Sequence, residues 1–532
     1  MKRSTLLLIP LFFLSVFFAY PVASLLYLGF WNGGFTLEYM KNAFSDYSHI
    51  IGFTTYQALL SASLTLILGL PGAYIIGNYE FRGKSTIKAI STVPFILPSI
   101  IVVIGFLGLF GNNGLLNHIL EPVGIHINLL YSLTAILLAH AFYNFPIVMR
   151  MVGSSWENMD SSYEDAAASL GAGPFHRFLR VSLPLLAPSI ISAFTLVFAY
   201  CFMSFAIVLI LGGAAYTTIE VEIYFLATVL IQPHMASALA LIQIGISMLF
   251  IWIYTRFGRA GAGGKRNLRR PGNSRLETAC IGFYSFMAAF LVLAPMLAVA
   301  YYSFMSSWGG HFTTDWYSLL FSENASSVLG ISPAAAIRNS LLFAGLTVLI
   351  SVPMATVSSL WARNRQGWTS VIMLPVAVSS VTLAWAYIGA FLGTPLYGSW
   401  LLIVLAHSVI AFPLVFRSIH NSVSSMDGDM VSAARSLGAG PFRAFIYAEL
   451  PQIIPGILVG ATFAFAISIG EFGATLLLYR PEYTTIPIAI YRILGTRAFG
   501  SAAAMSVILM LIATASFLLI DRLGVKQERS AF

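Results

Sequence analysis

Charged side chains are scarce in this chain. Asp, Glu, Lys and Arg make up 9% of its 532 residues, whereas a soluble domain carries about 25%, and 58% of the residues are apolar. A water-soluble globule is excluded, because too few charges remain to cover its surface. Cysteine is almost absent: Cys201 and Cys280 both fall in apolar segments, so no disulfide framework or metal-ligand spacing exists, and both read as small core residues. No GxxxxGK[ST] stretch occurs, so the chain has no ordinary backbone cradle for ATP. No cluster of nucleophile, base or metal ligands marks a membrane-embedded enzyme. Intramembrane carboxylates are equally sparse, which leaves thin support for an ion-coupled transporter and its proton relay.

What the chain has in quantity is long apolar runs. Each needs about 20 residues to cross a bilayer. About twelve can be placed, near 5–30, 50–77, 89–110, 129–149, 184–211, 236–255, 278–303, 338–361, 369–392, 400–416, 451–478 and 498–520. The first follows Lys2 and Arg3 but is longer than a signal core and lacks a clear cleavage site, so it is read as a retained span. The expected fold is an all-α integral membrane protein.

The net charge of +8 is distributed unevenly. Of 28 Lys and Arg residues, all but Lys41, Arg338, Arg480, Arg492 and Arg497 fall on one side of a twelve-span arrangement. The positive-inside rule makes that side the cytoplasm, with both termini there, in a cell or inner membrane. The cations therefore serve topology and anionic lipid headgroups rather than nucleic acid.

The chain also repeats itself. LLAHAFYNFPIVMR, ending at Arg150, returns as VLAHSVIAFPLVFR, ending at Arg417, an offset of 267 residues. The register persists from Asp165–Pro188 against Ser432–Pro455 to Tyr216–Tyr224 against Tyr483–Tyr491. Six spans per half, an even number, make this a parallel repeat about an axis along the membrane normal, with a pathway expected between the halves. The expected units are 1–255, a basic Gly-, Arg- and Lys-rich linker at 256–277, and 278–532.

Between the fourth and fifth spans of each half lies a polar stretch of about thirty residues, long enough to hold two short helices. Met159–Leu170 is Ala-rich and helix-favouring, Gly171 suits the left-handed position that ends a helix, and Pro174 suits the first turn of the next. Ala433, Ala434, Gly438, Gly440 and Pro441 repeat the device. This helix-turn-helix resembles the EAA motif of ABC importer permeases. The resemblance implies a type I importer permease fold, and it implies that Asp165, Ala166, Ala167, Gly171 and Ala172, with Ser432, Ala433, Ala434, Gly438 and Ala439, form coupling helices. Two copies of an ABC ATPase subunit would receive them, with ATP and Mg bound there and no cofactor in this chain. An external or periplasmic binding protein would deliver a small solute. Ser432 departs from the acidic position that Asp165 keeps, so the two contacts are expected to be unequal.

FMSFAIVLILGG before TTIEVEIY, and SIGEFGATLLL before TTIPIAIY, are most similar to the thiamine permeases; iron(III), oxyanion and organophosphonate permeases remain alternatives. Glu471, with repeat partner Ser204, is the candidate for the translocation path, a structural role between helices being the alternative. His140 and His407 read as polar ties between helices rather than metal ligands, and Glu220 and Glu222 as solvated residues of an external segment.

Overall fold

The computed structural model describes residues 8–31, 33–91, 93–257, 275–306, 310–322, 332–363 and 365–530. Most of the expected linker, 258–274, lies outside them, as do Lys2 and Arg3. The architecture is all-helical. Eleven helical segments among the described residues are long and apolar enough to cross a membrane.

In the first half, α1 (Leu8–Phe30), α2 (Ser48–Asn78) and α3 (Ser99–Phe110) precede α4 (Leu133–Glu157). The short α5 (Ser162–Ser169) leads to α6 (Pro174–Phe202), α7 (Ala206–Leu211), α8 (Ile219–Thr228) and α9 (Pro233–Phe257). In the second half α10 (Arg275–Tyr302), α11 (Pro333–Ala362), α12 (Ser380–Phe391) and α13 (Trp400–Ser424) correspond in order to α1–α4. Then α14 (Gly428–Ser436), α15 (Pro441–Gly470), α16 (Gly473–Leu478), α17 (Ile486–Gly495) and α18 (Phe499–Ser530) correspond to α5–α9. The offset of 267 holds from α4 onward. Before it, Ser99 pairs with Ser380 and Phe110 with Phe391, because the connection after α3 is longer in the first half than after α12.

Two expected spans are broken. Residues 89–110 comprise Lys84–Ile90, Val93–Ile96 and α3, and residues 369–392 comprise Gln366–Ile372, a tight turn at Leu374–Ala377 and α12. Pro94, Pro98 and Pro375 cause the interruptions, since proline has no N–H to donate and bars its predecessor from helical geometry. Ser379 then restarts α12 by accepting a hydrogen bond from Thr382 N–H at 3.1 Å.

Small residues let the helices approach closely. A Cβ on Gly77 of α2 would sit 2.4 Å from the Trp156 Cβ of α4, and one on Gly105 of α3 would meet the Pro295 carbonyl oxygen of α10 at 2.7 Å. On the cation-rich side, Lys84 and Lys88 both reach Glu157 Oε1 at 2.9 Å, anchoring the broken third segment to α4.

The first helix of each half packs on the broken third helix of the other. In α1, Tyr20 Oη donates to the Ala390 carbonyl and Ser24 Oγ to the Ala386 carbonyl, each at 3.1 Å. From α12, Tyr387 Oη donates back to the Phe17 carbonyl at 2.7 Å. On the opposite flank, Gly105 meets Pro295, and Tyr302 Oη donates to the Asn113 carbonyl at 3.1 Å. The halves are interlocked.

Candidate functional site

The cation-rich side carries two matching knobs. Asp160 Oδ1 accepts from Ser162 N–H at 2.9 Å and Asp427 Oδ1 from Asp429 N–H at 2.8 Å, so each knob helix starts after an equivalent Asp cap, a few residues later than its alanine content suggests. Each ends as expected: Gly171 and Gly438 take φ of 83° and 84°. Ala172 N–H reaches back to the Ala167 carbonyl and Ala439 N–H to the Ala434 carbonyl, both at 3.0 Å. Pro174 and Pro441 open the next helices, which pass through one π-helical turn each, Phe178–Ser182 and Phe445–Glu449.

Asp165, Ala166, Ser432 and Ala433 are exposed, as are Gly171 and Gly438. Sequence reasoning missed the apolar tips: Leu170 and Leu437, equivalent in the repeat, are each 89% exposed, and Phe175 and Phe442 stand exposed beside them. Exposed leucines at one place mean little, but here the same bare pair stands at the equivalent place in both repeats. Their position just before the terminating glycine was the available signal.

Each knob is held to its half differently. In the first, Ser182 Oγ donates to Glu164 Oε1 of α5 at 2.5 Å, both groups buried. In the second the acid has moved to Glu449, the counterpart of Ser182, and lies 3.8 Å from Arg435 of α14. The two knobs thus differ in how they are tethered to their own halves.

At the centre, between the halves, is a cavity of about 270 Å³. Equivalent residues line it in pairs: Ser99 with Ser380, Ser204 with Glu471, and Phe205 with Phe472. The Phe rings stack across the interface at 5.7 Å between centroids. The middle pair sits where α6 gives way to α7 and α15 to α16, not within a continuous span. There Glu471 Oε1 accepts from Ala474 N–H at 2.7 Å, capping α16, and the residue stays partly exposed towards the cavity.

His407 ties that break together: Nδ1 meets Ser468 Oγ at 2.8 Å and Nε2 meets Thr475 Oγ1 at 2.9 Å. In the first half Cys201 and Val208 occupy the places of Ser468 and Thr475. His140, a residue of the cavity lining, therefore turns Nδ1 to Ser61 Oγ at 2.9 Å, and its buried Nε2 has no protein partner. Both histidines are interhelical ties, but His140 has a nitrogen to spare.

Two expectations need correcting. Glu220 is not solvated: it is fully buried, accepting a short hydrogen bond from Gln243 Nε2, while Gln243 Oε1 accepts from Thr382 Oγ1 at 2.7 Å across the interface of the halves. The polar pair Gln243 and Thr382 lets α8 fold inward, which the segment's composition does not reveal. Glu222 is only partly buried. Cys201 is a core residue, whereas Cys280 is exposed on α10, whose outward face carries Phe283, Phe286 and Phe290.

Two stretches, 69–260 and 326–528, match the binding-protein-dependent transport system inner membrane component family. The chain belongs to that family. As a member it is a transport permease of the inner membrane, and its two matched stretches are the two repeats. It is 27% identical to the thiamine transport system permease protein ThiP of Escherichia coli K12, over 89% of each chain. It is 25% identical to ThiP of Brucella abortus, over 95% of this chain and 93% of that one. The Fe(3+)-transport system permease protein FbpB 2 of Haemophilus influenzae is 23% identical, over 86% and 87%.

Proposed function

We propose that the chain is the permease of an ATP-driven ABC importer for thiamine. The observation that carries the first part is the pair of equivalent knobs with bare Leu170 and Leu437, which suits two copies of one ATPase subunit. Coupling runs through Asp165, Ala166, Ala167, Gly171 and Ala172 in one half and through Ser432, Ala433, Ala434, Gly438 and Ala439 in the other. ATP and Mg sit on those partners, on the cytoplasmic side with both chain termini. An external binding protein loads the opposite side.

The solute passes between the halves, where Glu471 and Ser204 line the cavity. Closure of the ATPase dimer draws the knobs together, and α6 and α15, continuous with them through the π-helical turns, carry that movement to the breaks beside the cavity. Thiamine is favoured because the relatives matched over most of their length carry that name; iron(III) is the second reading, resting on the Fe(3+) relative.

The test is uptake of labelled thiamine and of iron(III) into proteoliposomes holding this chain with its ATPase and binding protein. ATP-dependent accumulation of thiamine requiring all three proteins is the expected result. Uptake driven by an ion gradient without the ATPase overturns the importer reading, and accumulation of iron(III) alone replaces the substrate.

A further inference from the structure

The two halves have diverged most tellingly at the cavity. Asn144 follows His140 by one helical turn on α4, so the two share a face with Cβ atoms about 5–6 Å apart. Both line the cavity and are buried, His140 at 1% and Asn144 at 3% exposure. Asn144 Nδ2 is occupied, donating to the His140 carbonyl at 2.9 Å and towards Cys201 Sγ at 3.5 Å. Its Oδ1 has no protein partner, and neither has His140 Nε2. Two unpaired polar atoms at such depth call for a ligand, since each costs about 1–3 kcal/mol if left unmet. The second half offers nothing similar, because Ala411 replaces Asn144 and His407 uses both nitrogens. It contributes a carboxylate instead, Glu471, where the first half has Ser204.

Resting on the permease reading above, we propose that the cavity is a solute-binding site of two unlike walls. The His140–Asn144 edge hydrogen-bonds an amino-substituted aromatic nitrogen ring, and Glu471 faces a positive charge on the same solute. With the Ser61 hydroxyl donating to Nδ1, the neutral imidazole carries its proton on Nε2 and donates it to a ring nitrogen. Asn144 Oδ1 accepts from the adjacent amino group. Phe205 and Phe472 supply flat faces, with Tyr143 and Tyr200 beside them, suiting a planar cation. Thiamine has both parts, an aminopyrimidine ring and a thiazolium cation.

The test is equilibrium dialysis of labelled thiamine against the purified complex of this chain with its ATPase subunits, without binding protein, alongside proteoliposome uptake with it. The variants are Asn144→Ala and Glu471→Ser, each placing in one half what the other already carries at the equivalent position. Oxythiamine, with a carbonyl in place of the amino group, serves as competitor.

Wild type is expected to bind thiamine saturably and to hold oxythiamine at least about tenfold more weakly, because the keto ring reverses both the amino donor and the ring-nitrogen acceptor that the edge reads. Asn144→Ala narrows that preference, whereas Glu471→Ser weakens both compounds by about tenfold or more and keeps it. The wild-type competition alone decides the matter if a variant fails to assemble. Equal binding of both compounds by wild type, or unchanged binding in both variants, shows that the polar edge serves only water and overturns the inference. Thiamine uptake without saturable binding also overturns it while leaving the proposed function intact. Absence of thiamine uptake by wild type removes both.

Discussion

Truncating Leu170 and Leu437 together, L170A/L437A, isolates the knob contact from everything else in the fold. Each side chain is almost wholly exposed, so its removal costs the permease itself no more than about 0.5 kcal/mol. If each leucine is buried on a partner, replacing it by alanine removes about three carbons of apolar contact, worth roughly 2 kcal/mol per knob. The knobs are separate sites whose losses add, so the double variant should lose about 4 kcal/mol, roughly a thousandfold in affinity for a partner that grips both. The assay is titration of labelled ATPase dimer, which alone spans both knobs, against the detergent-purified chain, with ATP-driven uptake as a second reading. Each single variant should fall midway, at about thirtyfold. A double variant that keeps its affinity within threefold refutes the docking role of these tips.

Four further outcomes follow from the same geometry. Ser182→Ala removes one hydrogen bond donated to the buried Glu164 and should lower stability by about 1 kcal/mol, read as a drop in melting temperature. Gly77→Leu drives a side chain into Trp156 and should abolish the folded, monodisperse peak on size-exclusion chromatography. Thr382→Val leaves Gln243 Oε1 without its partner across the interface and should cost about 1–3 kcal/mol in thermal melting. A single cysteine at Ser436, exposed on the second knob, should react with a membrane-impermeant maleimide only from the cytoplasmic face; labelling of intact cells from outside inverts the topology.

Much of this was legible from local chemistry. Composition and apolar run length set the membrane class, repetition set the two halves, and the Ala-rich stretch closed by Gly171 and Gly438 set the knobs, because each rests on residues close together in the chain. The breaks in the third segments were signalled by Pro94, Pro98 and Pro375, yet apolar run length reads through them. Glu220 looked like an exposed acid because nothing near it in sequence announces Gln243 and Thr382, which arrive from α9 and α12. The spare nitrogen of His140 is likewise invisible locally: it depends on Val208 standing where the other half has Thr475. Fixed registers find the equivalent positions, but only tertiary contact tells which of them have parted ways.

The crossed first helices bear on how such a chain is made. α3 reaches the membrane long before α10 is synthesised, so its Gly105 face waits, uncovered, through the translation of six more helices and a basic connecting segment. α1 waits longer still for α12. A ribosome that stops after the first half therefore leaves a bundle with a helix-wide vacancy and one helix gripping nothing. The membrane's quality-control proteases should clear that product, and restoring the missing half as a separate polypeptide in the same cell should rescue it.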